Sequence, residues 1–283
     1  MIYRIIDRLR ENGINLGVVS TGYKAEVLKE YLREYTNREI VVEDEPLDTG
    51  GGLRLAAEAI DDDVFVVMNG DIITDAPLRE MIEEHENSSA DVTILAYTVD
   101  DPRHYGVLIV DEDRILGFVE KPKRPPSNLI NAGVYIMSRK VIERIPEGRV
   151  SLEKEIFPKI VEDMIVRYYK YSGPRFDAGK PETFLKANSR LIERYPTLAI
   201  SPEAKVYGIV ENSSIASGVT IEDGSIVKNA VILENTYIGR GTMIENAIIG
   251  REVRIGEGKT FKRLLLADKS VLERSSFFYH PLQ

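Results

Sequence analysis

The chain has 283 residues, enough for one large domain or two smaller ones. Its 43% hydrophobic and 29% charged content suits a globular protein, and its net charge of -9 argues against a nucleic-acid-binding surface. Without cysteine there is no disulfide or thiolate chemistry, and His85, His104 and His280 lie too far apart for a metal-ligand spacing, so each reads as surface or structural. No apolar run approaches a membrane span. The opening MIYRIIDRLREN has acidic residues and a helical rhythm, unlike a signal peptide, and the expected location is cytoplasmic.

In chain order, Ile2, Ile5, Ile6 and Leu9 form one face of a helix over 1–12, and Gly13 stops it. A short strand follows at 16–19, a helix at 24–35 with Val27, Leu28, Tyr31 and Leu32 on one face, and a strand at 40–42. Residues 52–60 read as a helix, 64–68 as a strand and 78–86 as a helix. Alternation of this kind predicts a doubly wound parallel sheet. Strand 92–97 comes next, then a hairpin of 105–110 and 115–120 around Asp111-Glu112-Asp113. The proline-rich loop 121–127 leads to strand 131–137, helix 152–161, strand 165–171 and helix 183–194.

The stretch VFVVMNGD, 64–71, organises this half. An unbroken β-branched run reads as a strand buried on both faces. Ligands in open α/β sheets sit outside the carboxyl ends of strands, where Asp71 lies. Asp is equally an ordinary turn residue there.

Near Thr197 the pattern changes. Ile209, Ile215, Ile221, Val227, Leu233, Ile238, Ile244, Ile249, Ile255 and Phe261 recur every five or six residues. Small or polar residues fill most of the gaps, a pattern that predicts a parallel β-helix with these side chains stacked inward. Residues 271–279 read as a cap or a partner-binding tail.

The ordered segments EPLDTGGGL, VVMNGD, YGVLIVDED, ILGFVEKP, NAGVYIMS and FDAGKPETFLKAN resemble the sugar-1-phosphate nucleotidyltransferases, also called nucleotide-sugar pyrophosphorylases. The form that carries a hexapeptide β-helix is similar to the mannose-1-phosphate guanylyltransferases. The implied fold is α/β, a Rossmann-like doubly wound mixed sheet followed by a C-terminal left-handed parallel β-helix of hexapeptide repeats. The implied domains are 1–196, the nucleotidyltransferase, and 197–283, the β-helix.

The resemblance implies formation of a nucleotide-sugar and pyrophosphate from a nucleoside triphosphate and a sugar 1-phosphate, with GTP and mannose 1-phosphate the first expectation. Alternatives are a glucose-1-phosphate thymidylyl- or uridylyltransferase, or a non-catalytic regulatory homologue. It assigns catalysis to Asp71, Lys121 and Asp177, with Asp71 and Asp177 holding Mg²⁺. This suits a hard ion that takes one or two carboxylates plus phosphate oxygens. It assigns the nucleotide to Glu45, Pro46, Thr49, Gly50, Gly51, Asn69 and Gly70, and the sugar to Gly106, Glu120, Asn131 and Gly133. Read alone, Asp177 is also an Asp near a helix N-terminus, the glycines a flexible loop, and Glu120-Lys121 a solvated pair.

Family members begin with a strand and a glycine-rich GGxGTRL loop that holds the triphosphate. The sequence as given opens just after that region, at what would be the family's first helix. The expectation is an N-terminally truncated enzyme whose neighbouring strands present unpaired edges. A β-helix exposes flat faces and coil ends, so a homo-oligomer through that domain is expected, with no nucleic-acid or membrane partner.

Overall fold

The computed structural model describes residues 2–15, 17–33 and 38–273. The chain forms two compact units that divide between Arg175 and Phe176. The expected tail, 271–279, lies outside the described residues from 274 onward.

The first unit contains α1 (Ile2–Glu11), β1 (Gly17–Thr21), α2 (Ala25–Tyr31), β2 (Arg38–Val42), α3 (Asp48–Ala57), β3 (Val64–Met68), β4 (Ile72–Thr74), α4 (Leu78–Asn87) and β5 (Val92–Thr98). Then come β6 (Gly106–Asp111), β7 (Arg114–Glu120), β8 (Leu129–Ser138), α5 (Phe157–Ile160) and β9 (Val166–Tyr171). Six strands form a mixed sheet in the order β3-β8-β5-β9-β7-β6. Within it β5 and β9 run parallel, and β8 runs antiparallel to both β3 and β5.

Strand β8 is the true centre. Val134 and Ile136 point to a cluster with Leu78 and Met81 of α4, while Tyr135 and Met137 point to a cluster with Phe157. All of these side chains are buried, each worth roughly 1.5–3 kcal/mol. Burial on both faces is why its run is continuously apolar.

Strand β3 departs from expectation. It pairs antiparallel with β8, and only Phe65 of its five residues is buried. Among the described residues β3 has β8 as its one partner, and β1 pairs in parallel with β2 in a separate two-stranded sheet. One edge of each of β1 and β3 thus faces no described strand. Between them lies a groove of about 480 Å³ lined by Val18 and Val19 on one wall and Val64 to Met68 on the other. Helix α1 adds Ile5 and Leu9, and α3 adds Leu53. The α1 helix is held elsewhere, because the Arg8 guanidinium donates to the carbonyls of Asp75 and Ala76 at 2.9 and 3.0 Å.

Helix α3 begins at Asp48, four residues before the sequence places it. Each glycine costs about 1 kcal/mol in a helix relative to alanine, so Gly50-Gly51-Gly52 reads as a loop. Tertiary contact reverses this: the amides of Gly50 and Gly51 both donate to the Val150 carbonyl, at 2.7 and 3.2 Å. Segment 152–161 is not one helix but a π-turn, Leu152–Ile156, followed by α5. Strand β4, a three-residue buried piece after the NGD turn, has no signal in the sequence pattern.

In the second unit α6 (Pro181–Arg194) packs on strands Ile226–Ile232 and Met243–Ile249. The Ser214 hydroxyl donates to Asn188 at 2.6 Å and the Asn212 amide to Ser189 at 2.9 Å. The strands beyond form parallel ladders in which each partner lies 17 residues on, as in Ile226↔Met243↔Thr260 and Tyr237↔Arg254↔Val271. Left-handed backbone recurs at the same interval in three series. These are Asn212, Asn229, Asn246 and Arg263, then Gly218, Asn235, Glu252 and Lys269, then Gly224, Gly241 and Gly258. Gly and Asn tolerate this conformation best.

The inward column runs through Val210, Val227, Ile244 and Phe261, and through Ile215, Ile232 and Ile249. Two expected members, Ile209 and Leu233, are one residue off. Ile209 is 54% exposed, whereas Ile232 is fully buried. Each has an apolar neighbour, so a five-or-six spacing rule could not choose between them. The registered spacing is a constant 17.

Candidate active site

The Asp71 turn is built by its neighbours. The Ile72 amide donates to the Asn69 carbonyl at 3.1 Å, and the Asn69 amide donates to the Gly133 carbonyl at 2.9 Å. Gly133 has φ +78°, and a Cβ there would lie 2.9 Å from Ile72 and 3.1 Å from the Asn69 amide nitrogen. A glycine is therefore required where β8 touches the turn. Asp71 is half-buried just past the carboxyl end of β3.

The structure brings Asn131 and Gly133 beside this turn. The Gly133 amide donates to Asn131 Oδ1 at 2.9 Å, and Asn131 Nδ2 donates to the Tyr135 hydroxyl at 2.8 Å. Asn131 is 8% exposed, so its amide serves the strand as much as any ligand. Nearby, Arg175 Nε donates to the Ala132 carbonyl at 3.2 Å, with its guanidinium 5.5 Å from the centre of the Tyr105 ring.

Tyr105 leads to the hairpin pair. Its carbonyl accepts the Lys121 amide at 3.0 Å, and Gly106 pairs with Glu120 across β6 and β7. A Cβ on Gly106 would lie 2.4 Å from the Phe118 ring and 3.0 Å from Glu120 Oε2, so this glycine makes room for both. Glu120 is largely covered, Lys121 is mostly exposed, and their charged atoms are 3.0 Å apart. Lys121 takes φ +45°, uncommon for a side-chain-bearing residue outside turns and sites.

The nucleotide residues divide into groups. Thr49, Asn69 and Gly70 line the groove, together with Ser20, Glu43 and Asp48. Glu45 and Pro46 are exposed. Gly50 and Gly51 are buried against residues 148–150, where a Cβ would meet the Val150 carbonyl at 2.9 Å and the Gly148 carbonyl at 2.3 Å. Their lack of a side chain is thus already used by the protein itself. Glu43 ties this end together by accepting from the Ser20 hydroxyl at 2.9 Å and the Leu47 amide at 3.0 Å.

Asp177 belongs to the second unit, ahead of α6, and its Oδ1 accepts the Gly179 amide at 3.0 Å. Among the described residues no three or more His, Cys, Asp or Glu side chains gather into a protein-only metal cage. Mg²⁺ needs none, since it binds through one or two carboxylates and keeps water or phosphate oxygens for the rest. Asp71 offers such a carboxylate. No helix among the described residues is long and apolar enough to cross a membrane.

Sequence reasoning missed Tyr135, Ser151 and Glu153. Thr49 Oγ1 donates to Glu153 Oε2 at 2.6 Å and accepts the Leu152 amide at 2.9 Å. The Tyr135 hydroxyl donates to Glu153 Oε1 at 3.4 Å. Burial, then the Glu153 charge, holds the Tyr135 hydroxyl protonated well above its usual range. The SLEKE segment reads from sequence only as a helix start, because its partners are more than 100 residues away on one side.

His85 is the structural histidine expected. It is buried, its Nδ1 lies 2.9 Å from Thr93 Oγ1, and burial lowers its pKa.

The chain as a whole is similar to several known proteins. A mannose-1-phosphate guanylyltransferase of Mycobacterium tuberculosis is 33% identical over 230 residues, covering 78% of this chain and 63% of that protein. A mannose-1-phosphate guanyltransferase of Candida albicans is 40% identical over 195 residues, covering 65% of this chain and 54% of that protein. The chain therefore spans only part of the length of these curated relatives. HddC of Yersinia pseudotuberculosis, solved in complex with GMP-PN, superposes with a TM-score of 0.59 at 30% identity, covering 67% of this chain and 84% of that one. The GMPPB C-terminal domain model matches residues 194–277. The nucleotidyl transferase model matches residues 1–194, and the chain belongs to that family.

Proposed function

We propose that the protein transfers a nucleotidyl group from a nucleoside triphosphate to a sugar 1-phosphate, with GTP and mannose 1-phosphate as the pair. The observation that carries this is the bond from the Asn69 amide to the Gly133 carbonyl, which sets the Asp71 turn beside the Asn131–Gly133 stretch. The names of the relatives support the choice of substrates.

In the proposed reaction a phosphate oxygen of the sugar 1-phosphate attacks the α-phosphorus. The bond from that phosphorus to the bridging oxygen breaks, and pyrophosphate leaves. Such transfers depend on positioning and charge neutralisation more than on covalent catalysis. Thr49, Asn69 and Gly70, which line the groove, are read as flanking the nucleotide. Glu120 accepts sugar hydroxyls and orients Lys121 toward the phosphate. Asp71 would hold Mg²⁺ together with phosphate oxygens, and the ion when bound supplies charge neutralisation on those oxygens.

Residues 1–196 are read as the transferase domain and 197–283 as the second domain, whose described residues, to 273, are read as a left-handed β-helix. Three left-handed corners in each 17-residue interval support a three-sided coil. Ile209, Met243 and Leu265 stay exposed on its ladders at 54, 38 and 53%, which supports self-association there.

The test is pyrophosphate release with Mg²⁺ across four nucleoside triphosphates and a panel of sugar 1-phosphates. Fastest turnover with GTP and mannose 1-phosphate is expected. Turnover only with a thymidine or uridine triphosphate and glucose 1-phosphate would overturn the substrate assignment. No turnover on any pair would overturn the activity.

A further inference from the structure

The π-turn at Leu152–Ile156 bridges two elements that the proposed function assigns to different ligands. On one side Thr49, at the start of α3, bonds Glu153 Oε2 at 2.6 Å. On the other side Tyr135, inside β8, bonds Glu153 Oε1 at 3.4 Å and takes the Asn131 amide at 2.8 Å. One carboxylate therefore connects the nucleotide end of the groove to the sugar stretch.

The link is built as a unit. Ser151 is buried, and its hydroxyl donates to Glu153 Oε2 at 3.2 Å while accepting the Lys154 amide at 3.3 Å. The Leu47 carbonyl takes the Val150 amide at 2.9 Å, docking the segment on the loop before α3. Tyr135 is fully buried, so its hydroxyl cannot exchange Glu153 for water without moving the strand. Buried networks of this kind are strong when every member is satisfied. A π-turn holds one residue more than an α-turn and marks functional sites more often than chance.

We propose that Glu153 is a positioning residue that couples the two substrate subsites through Thr49 and Tyr135, so that each substrate tightens the binding of the other. This rests on the nucleotidyltransferase reading. Thr49 held by nucleotide fixes Glu153, which fixes the Tyr135 hydroxyl and with it Asn131 and the Gly133 amide. Coupling is reciprocal by linkage.

The probes are the non-cleavable guanosine 5′-(α,β-methylene)triphosphate and mannose 1-phosphate, titrated calorimetrically singly and together. Wild-type protein should bind mannose 1-phosphate about 5-fold or more tightly once the nucleotide analogue is saturating. Tyr135→Phe cuts the link to Asn131 and leaves Glu153 on Thr49. It should bring the coupling factor close to 1 while single-ligand affinities stay within about 2-fold. Glu153→Gln should act the same way, with circular dichroism confirming the fold of both variants.

Coupling that persists in both folded variants would overturn the relay, as would independent binding of both ligands to wild type. Failure of wild type to bind either ligand would instead overturn the functional reading, and the relay with it. If Tyr135→Phe does not fold, Glu153→Gln decides the question alone.

Discussion

Gly51 packs so closely on Gly148 that a Cβ built on Gly51 would lie 2.3 Å from the Gly148 carbonyl oxygen. Backbone cannot retreat as a side-chain tip can. Gly51→Ala should destabilise the protein by about 1–3 kcal/mol, the usual cost of overpacking. Gly70 is the contrast, since a Cβ there meets nothing within 4 Å. Gly70→Ala should leave stability within about 0.5 kcal/mol of wild type but weaken binding of the nucleotide analogue. Urea denaturation and calorimetry separate the two. Equal loss of stability in both variants would contradict this division of the glycines.

Asn229 sits at a left-handed corner with φ +48°, and its Oδ1 accepts from Asn212 at 2.7 Å. Asn229→Ala loses the bond and forces a Cβ residue without a polar side chain into the αL region. It should cost about 1–2 kcal/mol. Asn229→Gly loses only the bond and should cost less. Thermal melts of the two variants rank them, and a glycine variant less stable than the alanine one would refute the corner assignment.

His85 gives a pH dependence. Its pKa in the folded protein is lowered from the ordinary 6.5 by burial, so the folded form resists a proton that the unfolded chain accepts. Below pH 6.5 the unfolded chain therefore binds more protons, and stability falls with pH until the folded-state pKa is passed. The urea midpoint should be lower at pH 5 than at pH 7, with a smaller difference in His85→Gln. An unchanged difference in the variant would assign the pH dependence to other groups.

Much of the fold is legible in the sequence, for physical reasons. The run in β8 is apolar throughout because both its faces are buried, and the column Val227, Ile244 and Phe261 shows because each side chain must point inward. Other features depend on distant partners. Helix α3 starts in glycines only because Val150 takes their amides, and β3 is half-exposed because one of its edges faces a groove instead of a described strand. At the candidate site, Asn69 meets Gly133 through a backbone bond, a contact that no local pattern in either segment announces. The Thr49–Glu153–Tyr135 links were not legible, because a lone carboxylate in SLEKE has no local pattern to distinguish it from a solvated helix residue.

The central claim is that Asp71 serves nucleotidyl transfer and not merely the turn after β3. The direct measurement is the rate of pyrophosphate release from GTP and mannose 1-phosphate with Mg²⁺, for wild type and Asp71→Asn. Asparagine keeps the size and turn propensity but removes the charge that a hard cation needs. The expected result is a rate lower by about 100-fold or more with the urea midpoint unchanged. An Asp71→Asn protein that turns over at the wild-type rate would contradict the claim.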